Sequence, residues 1–176
     1  MRRDVDAGRL GTFLRALGEA ARGETTVYLT GGATAVLHGW RSSTVDVDLK
    51  LDPERDELLR ALPALKERLE INVELASPDQ FLPELPGWRE RSLFIRREGP
   101  VTVRHYDLYA QALAKVERGH SRDLADVGAM LERGLVDAAR LRELHAAIEP
   151  LLYRFPAVDP PTLRAALESA LSRRCR

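Results

Sequence analysis

Two aspartates with one apolar residue between them, Asp46-Val47-Asp48, are the part of this 176-residue chain best suited to chemistry. They lie in a strictly alternating segment. Val45, Val47, Leu49 and Leu51 fall on one side, and Asp46, Asp48 and Lys50 on the other, which is the period of a half-buried strand. On such a strand the two carboxylates share a face, about 6–7 Å apart along the chain. Like charges that close repel unless a cation lies between them. Hard carboxylate oxygens suit Mg²⁺, which keeps several waters and accepts phosphate oxygens as further ligands. The same residues would also make a solvated strand face, with Lys50 as counter-charge.

A second feature precedes the first. Gly31-Gly32 follows the β-branched and aromatic run Thr25–Leu29 and opens a helix-prone stretch, with thirteen residues between Gly32 and Asp46. A glycine pair lets a strand turn sharply into a helix. It also lets a phosphate approach the helix N-terminus, where N–H groups and the helix dipole favour an anion. Thr30 could add a hydroxyl, and Ser43, in the polar loop Arg41-Ser42-Ser43, is a further candidate phosphate contact. A plain strand-to-helix turn reads the same way, and neither the P-loop nor the G-x-G-x-x-G pattern is present.

Two further sets of residues could join the aspartates. Glu74 lies on the next alternating segment, Ile71–Leu75, in phase with Asn72. As a third carboxylate it could complete a two-metal site, or it could simply be exposed. Asp79 is a poorer candidate in the loop beyond. Downstream, Lys115 and Arg118 are i and i+3 on one helix, and Asp123 and Asp126 are i and i+3 on the next. They read as helix-end ion pairs, or as a lysine placed against a triphosphate with Asp123 orienting it.

The elements that must position these groups follow from pattern. Leu10, Phe13, Leu14 and Leu17 predict a first helix ending at Gly23. A strand over 25–29, a helix over 33–38 closed by Gly39, and the strand 45–51 come next. Asp52-Pro53 predicts a cap and first turn for a helix striped by Leu58, Leu59, Leu62, Leu65 and Leu69, with Pro63 as a kink or break. A strand over 71–75, a Pro-rich loop over 77–88 and a hairpin of strands 92–97 and 101–106 complete the first part. From Asp107 onward only helices are expected, over 108–118, 122–133, 138–152 and 161–173, with Asp107, Asp137 and Asp159 as caps. The expected organisation is an α+β core over 1–107, a small mixed sheet flanked by helices, with a helical region over 108–176 packed on it.

Composition narrows the field. Net charge is zero, with 44% hydrophobic and 31% charged residues, as in ordinary soluble domains and unlike strongly basic nucleic-acid binders. No apolar run reaches the ~18 residues of a membrane span, and the N-terminal arginines are followed by no apolar stretch. A cytoplasmic protein with no membrane association is expected. The single cysteine, Cys175, makes no intrachain disulfide or cysteine-based zinc cage. The four histidines show no metal-ligand spacing. Trp40 could pack or stack on a base. Arg89, Arg91, Arg96, Arg97 and Arg104 form a locally basic region, either solvated or facing RNA backbone. Arg173, Arg174 and Arg176 form a basic tail.

Gly31-Gly32 followed by Asp46-Val47-Asp48-Leu49 resembles the signature of the polymerase-beta-like nucleotidyltransferase superfamily. The segment KVERGHSRDLADV resembles the Lys and Arg-Asp-x-x-Asp motifs of its AbiEii-type branch, which includes toxins of bacterial toxin–antitoxin systems. The likeness covers residues 26–133. It implies that Asp46 and Asp48, with Glu74 where the third acid is used, bind Mg²⁺ or Mn²⁺. It further implies that Gly31, Gly32 and Lys115, with Arg118 beside it, hold the triphosphate, and that Asp123 matches a functional aspartate. The implied activity moves a nucleoside monophosphate from an NTP to tRNA, protein or a small molecule. A cognate toxin or antitoxin is an expected partner. The alternative is an inactive member of the fold that binds nucleotide, RNA or a partner protein.

Overall fold

A computed structural model describes residues 3–172; Cys175 and the arginines at 173, 174 and 176 lie outside the described residues. In chain order the elements are α1 (Ala7–Ala20), β1 (Thr25–Thr30), α2 (Gly31–His38), β2 (Asp46–Asp52), α3 (Asp56–Leu69), β3 (Asn72–Leu75), the single-turn α4 (Trp88–Arg91), β4 (Phe94–Glu98), β5 (Val101–His105), α5 (Leu108–Arg118), α6 (Ser121–Glu132), α7 (Ala138–Ile148) and α8 (Pro160–Ser172). The chain is α+β. It divides into two compact units, one built from residues up to Ser77 with Ser92–Tyr106, the other from Pro78–Arg91 and the residues from Asp107 onward. Residues 78–91, expected in the first part, group with the helices that follow the hairpin.

The first unit holds one five-stranded mixed sheet in the order β3-β2-β1-β5-β4. β1 runs antiparallel to β2 and parallel to β5, while β3 is parallel to β2 and β4 antiparallel to β5. Alternation then sorts the faces. Val27, Leu29, Val47, Leu49, Leu51, Val101 and Val103 point to one side and form a continuous core with Leu10, Phe13, Leu14 and Leu17 of α1 and Leu58, Leu62 and Leu65 of α3. Each leucine fully buried this way contributes roughly 1.5–3 kcal/mol. Tyr28, Thr30, Asp46, Asp48, Lys50 and Arg104 therefore project from the opposite face.

Three local expectations change. Asp52 does not cap a helix; it stays in the β1–β2 ladder opposite Thr26, and α3 begins at Asp56 behind Arg55. Pro63 neither splits nor ends α3, which runs through it to Leu69. Further on, the predicted 138–152 helix ends at Ile148 and tightens into a 3-10 segment, Glu149–Arg154, which contains Pro150. A proline has no N–H to continue the α-helical ladder.

The second unit is helical. Asp107 caps α5 by accepting from Tyr109 N, and its carboxylate is forked by Arg91 of α4 at 3.2 and 2.6 Å. Asp137 caps α7 by accepting from Arg140 N, and Asp159 accepts from Thr162 N at the start of α8. Among the described residues no helix is long and apolar enough to cross a membrane.

α1 crosses the hairpin so closely that a Cβ at Gly18 would lie 2.5 Å from the Glu98 carbonyl oxygen. The obstacle is backbone, which cannot swing aside. Gly18→Ala is expected to cost about 1–3 kcal/mol even though alanine is the better helix former. At Gly128, inside α6, an added Cβ meets nothing within 4 Å. Gly128→Ala is expected to stabilise by about 0.5–1 kcal/mol. Urea unfolding of the two variants should move in opposite directions.

Candidate functional site

The β1–β2 ladder sets Thr30 opposite Asp48. Gly31, the next residue, starts α2, so the first turn of that helix arrives beside the Asp48 carboxylate. A Cβ on Gly31 would lie 2.8 Å from Asp48 Oδ2, and the residue has φ of +59°. Both conditions select glycine: left-handed backbone, and no room for a side chain next to a carboxylate. Gly32 is constrained from the other side. Its Cβ would fall 2.0 Å from Thr44 Oγ1. Thr44 is itself held by two backbone hydrogen bonds with Val5, and its hydroxyl donates to the Asp46 carbonyl at 3.0 Å. Thr30 occupies the N-cap of α2 and makes no side-chain capping bond. The helix mouth and the two aspartates thus form one tightly packed corner.

β3 supplies the other flank. Its parallel register sets Asn72 beside Asp46 and Glu74 beside Asp48. The amide of Asn72 donates to Asp46 Oδ1 at 2.5 Å and to Glu74 Oε1 at 3.1 Å. Glu74 is exposed, whereas Asp46, Asp48 and Asn72 are half-buried. The expected neighbourhood of the three acids is present at the level of strand register. Yet among the described residues no group of three or more His, Cys, Asp or Glu side chains is placed to hold a metal ion. Glu74 turns along its own strand to the Asn72 amide. A single Mg²⁺ fits what remains, since that ion commonly takes only one or two carboxylates and completes its shell with water and substrate phosphate.

Behind α2, Thr34 donates to the Leu29 carbonyl at 3.2 Å, and its oxygen lies 3.1 Å from His105 Nδ1. With the hydroxyl proton directed at Leu29, the His105 nitrogen is the donor to Thr34. His105 lies tilted against His38 with ring centroids 4.4 Å apart, and His38 stacks on Trp40 at 5.4 Å. Burial, with His38 alongside, pushes His105 down from 6.5 to about 3. The ring is therefore neutral at physiological pH and acts as a tether for α2. Trp40, a candidate base-stacking residue, has its ring on His38.

The downstream motif lies in the second unit and is built into its interior. Lys115, expected against phosphate, is 5% exposed, and its ammonium lies 2.6 Å from Asp126 Oδ2 and 3.4 Å from Asp123 Oδ1. Arg118 forks Asp123 through Nε at 2.7 Å and Nη2 at 2.5 Å. Burial works to raise the Asp123 carboxyl, but the Arg118 guanidinium and the Lys115 ammonium outweigh it and hold the group below its ordinary range. The four charges pin the α5–α6 corner. Ser43, another expected phosphate contact, has its hydroxyl 3.3 Å from Asp4 Oδ2. Asp79 lies in a 3-10 turn of the second unit.

The basic region divides as well. Arg96 and Arg97 pair with Glu98 and Glu24, and Arg104 donates to the Ser92 carbonyl, all within the first unit. Arg89 lies over the Trp88 ring and Arg91 holds Asp107, both within the second. Asn72 and Thr44 were absent from the sequence reading as site residues. Asn72 could have been found from its phase with Glu74; Thr44 is visible only through the space it takes from Gly32.

Removing Lys115 would leave two buried carboxylates facing each other. Lys115→Met is expected to cost about 3–5 kcal/mol, and the double change Lys115→Met/Asp126→Leu to recover part of it, by chemical denaturation. Arg118→Ala, at a more exposed partner, should cost about 1 kcal/mol. His105 gives a pH signature. Its folded pKa lies below the unfolded one, so the unfolded chain binds the proton more tightly as pH falls through 6.5. Stability present above pH 6.5 is then lost by about 1.4 kcal/mol per pH unit on acidification toward 3. His145, buried in α7, is also held low, chiefly by burial. The contribution of His105 is therefore isolated by comparing wild type with His105→Gln, which should show the shallower acid dependence.

No curated protein and no solved structure matches the chain. The profile of the DUF6036 family, described as a nucleotidyltransferase of unknown function, matches residues 10–158. That span contains Gly31, Gly32, Asp46, Asp48 and the Lys115–Asp126 network, and it takes in most of the sequence. With its sheet, its glycine corner and its paired aspartates inside the matched span, the protein belongs to this nucleotidyltransferase family.

Proposed function

We propose that the protein is a metal-dependent nucleotidyltransferase that transfers a nucleoside monophosphate from an NTP to an acceptor hydroxyl. The observation that carries this reading is the fit between Gly31 and Asp48, where the first turn of α2 and a strand carboxylate meet without room for a Cβ. A helix N-terminus favours anionic oxygens, and a carboxylate pair favours a cation. An NTP with its divalent ion is the ligand that satisfies both at once.

In this reading Asp46 and Asp48 hold Mg²⁺, or Mn²⁺ in its place. When bound, the ion neutralises triphosphate charge and makes the α-phosphorus more electrophilic. Gly31 and Gly32 bring backbone close to the phosphate oxygens, with the Thr30 hydroxyl at the same turn. Thr44 and His105 keep that turn in place. The acceptor oxygen forms a bond to the α-phosphorus, the bond from the α-phosphorus to the bridging oxygen breaks, the hydroxyl proton is released, and pyrophosphate leaves. Lys115, Arg118, Asp123 and Asp126 carry the likeness to the AbiEii-type branch. Here their role is to hold the α5–α6 corner, since the Lys115 ammonium is already matched by two carboxylates.

The test is transfer from α-labelled NTPs to tRNA, protein and small-molecule acceptors, with and without Mg²⁺. Asp46→Asn and Asp48→Asn should each lower transfer by about 100-fold or more while thermal unfolding is retained. Chelation with EDTA should abolish transfer, and added Mg²⁺ or Mn²⁺ should restore it. Transfer by both asparagine variants at the wild-type rate would overturn the reading.

A further inference from the structure

The parallel pairing of β3 with β2 sets Asp46 beside Asn72 and Asp48 beside Glu74. Neighbouring strands are about 4.8 Å apart, so register alone would let Glu74 reach across to Asp48 as a third metal-binding acid. The side chain does something else. Glu74 turns back along β3 to the Asn72 amide nitrogen at 3.1 Å, and the same nitrogen donates to Asp46 Oδ1 at 2.5 Å. An amide nitrogen carries two hydrogens and no lone pair free for a metal. It can bridge two carboxylates, and it cannot ligate a cation through that atom.

We propose that Asn72 is the positioning residue for Asp46 and that it keeps Glu74 out of the metal-binding set, leaving Asp46 and Asp48 as the only carboxylate ligands; this rests on the nucleotidyltransferase reading above. Three carboxylates on one face of two adjacent strands would repel. The Asn72 amide offsets that repulsion between Asp46 and Glu74 with two N–H donors and no added charge. One oxygen of Asp46 is held by the amide, and Oδ2 remains for the cation. The orientation of Asp46 is thereby set before metal and nucleotide arrive. Outer hydrogen-bond partners of this type are typically worth 10–100-fold in metal affinity. The exposed Glu74 is tied to this amide without belonging to the site's ligands.

The test is a Mn²⁺ titration of the full chain, followed by electron paramagnetic resonance of the free ion. Asn72→Ala should weaken Mn²⁺ by about 10-fold or more, and Glu74→Gln should leave the affinity within about 2-fold. Raising Mn²⁺ should restore nucleotidyl transfer by Asn72→Ala and should not restore Asp46→Asn, a distinction that a merely structural lesion would not produce. Wild-type Mn²⁺ affinity in Asn72→Ala would overturn the proposal while leaving the two aspartates as ligands. So would a loss in Glu74→Gln as large as that in Asp46→Asn, and this variant decides the matter even if Asn72→Ala fails to fold. If Asp46→Asn binds Mn²⁺ as wild type does, the nucleotidyltransferase reading of the aspartates falls together with the proposal.

Discussion

The antiparallel pairing of β1 with β2 is the constraint from which the site follows. Because Thr30 stands opposite Asp48, the chain leaving β1 must begin its helix beside a carboxylate. That leaves space for Gly31 and for no larger residue. A slip of one residue in this ladder would turn Asp46 and Asp48 into the core and bring Val47 and Leu49 to the site face. The apolar cluster beneath opposes such a slip, since Val47, Leu49 and Leu51 are buried against α1 and α3. Core packing and site chemistry are therefore two faces of the same register.

Charge is handled differently in the two units. On the sheet, Asp46 and Asp48 are half-buried, and the nearest described donor to Asp46 is a neutral amide. In the helical unit, Asp123 and Asp126 are buried, and a lysine and an arginine meet them directly. Breaking that set would be costly, though an apolar replacement of the whole set need not be. The same residue type thus sits on a half-buried strand face in one place and in the interior of a helical corner in another, according to which partner lies within reach.

Much of this was legible in the chain. Strict alternation at 45–51 placed both aspartates on one side, and the leucine stripe of α3 and the caps at Asp107, Asp137 and Asp159 fall where the pattern puts them. The errors have local causes. Asp52-Pro53 has the composition of a helix start, but the ladder opposite Thr26 extends the strand through Asp52. Of the kink or break expected at Pro63, the break does not occur: α3 continues through it, its leucines held in the core. Lys115 and Arg118 share a helix face in either reading, and spacing alone does not say whether that face meets carboxylates or phosphate.

By itself the sequence determined the periodicities, and with them the two faces of β2 and the helix mouth at Gly31-Gly32. These are local properties, set by residues a few positions apart. The tertiary structure decided what each polar group touches: Gly31 against Asp48, Gly32 against Thr44, Asn72 between Asp46 and Glu74, and Lys115 between Asp123 and Asp126. Those partners come from strand register and helix packing, so a third acid in the right phase could still be claimed by an amide on its own strand.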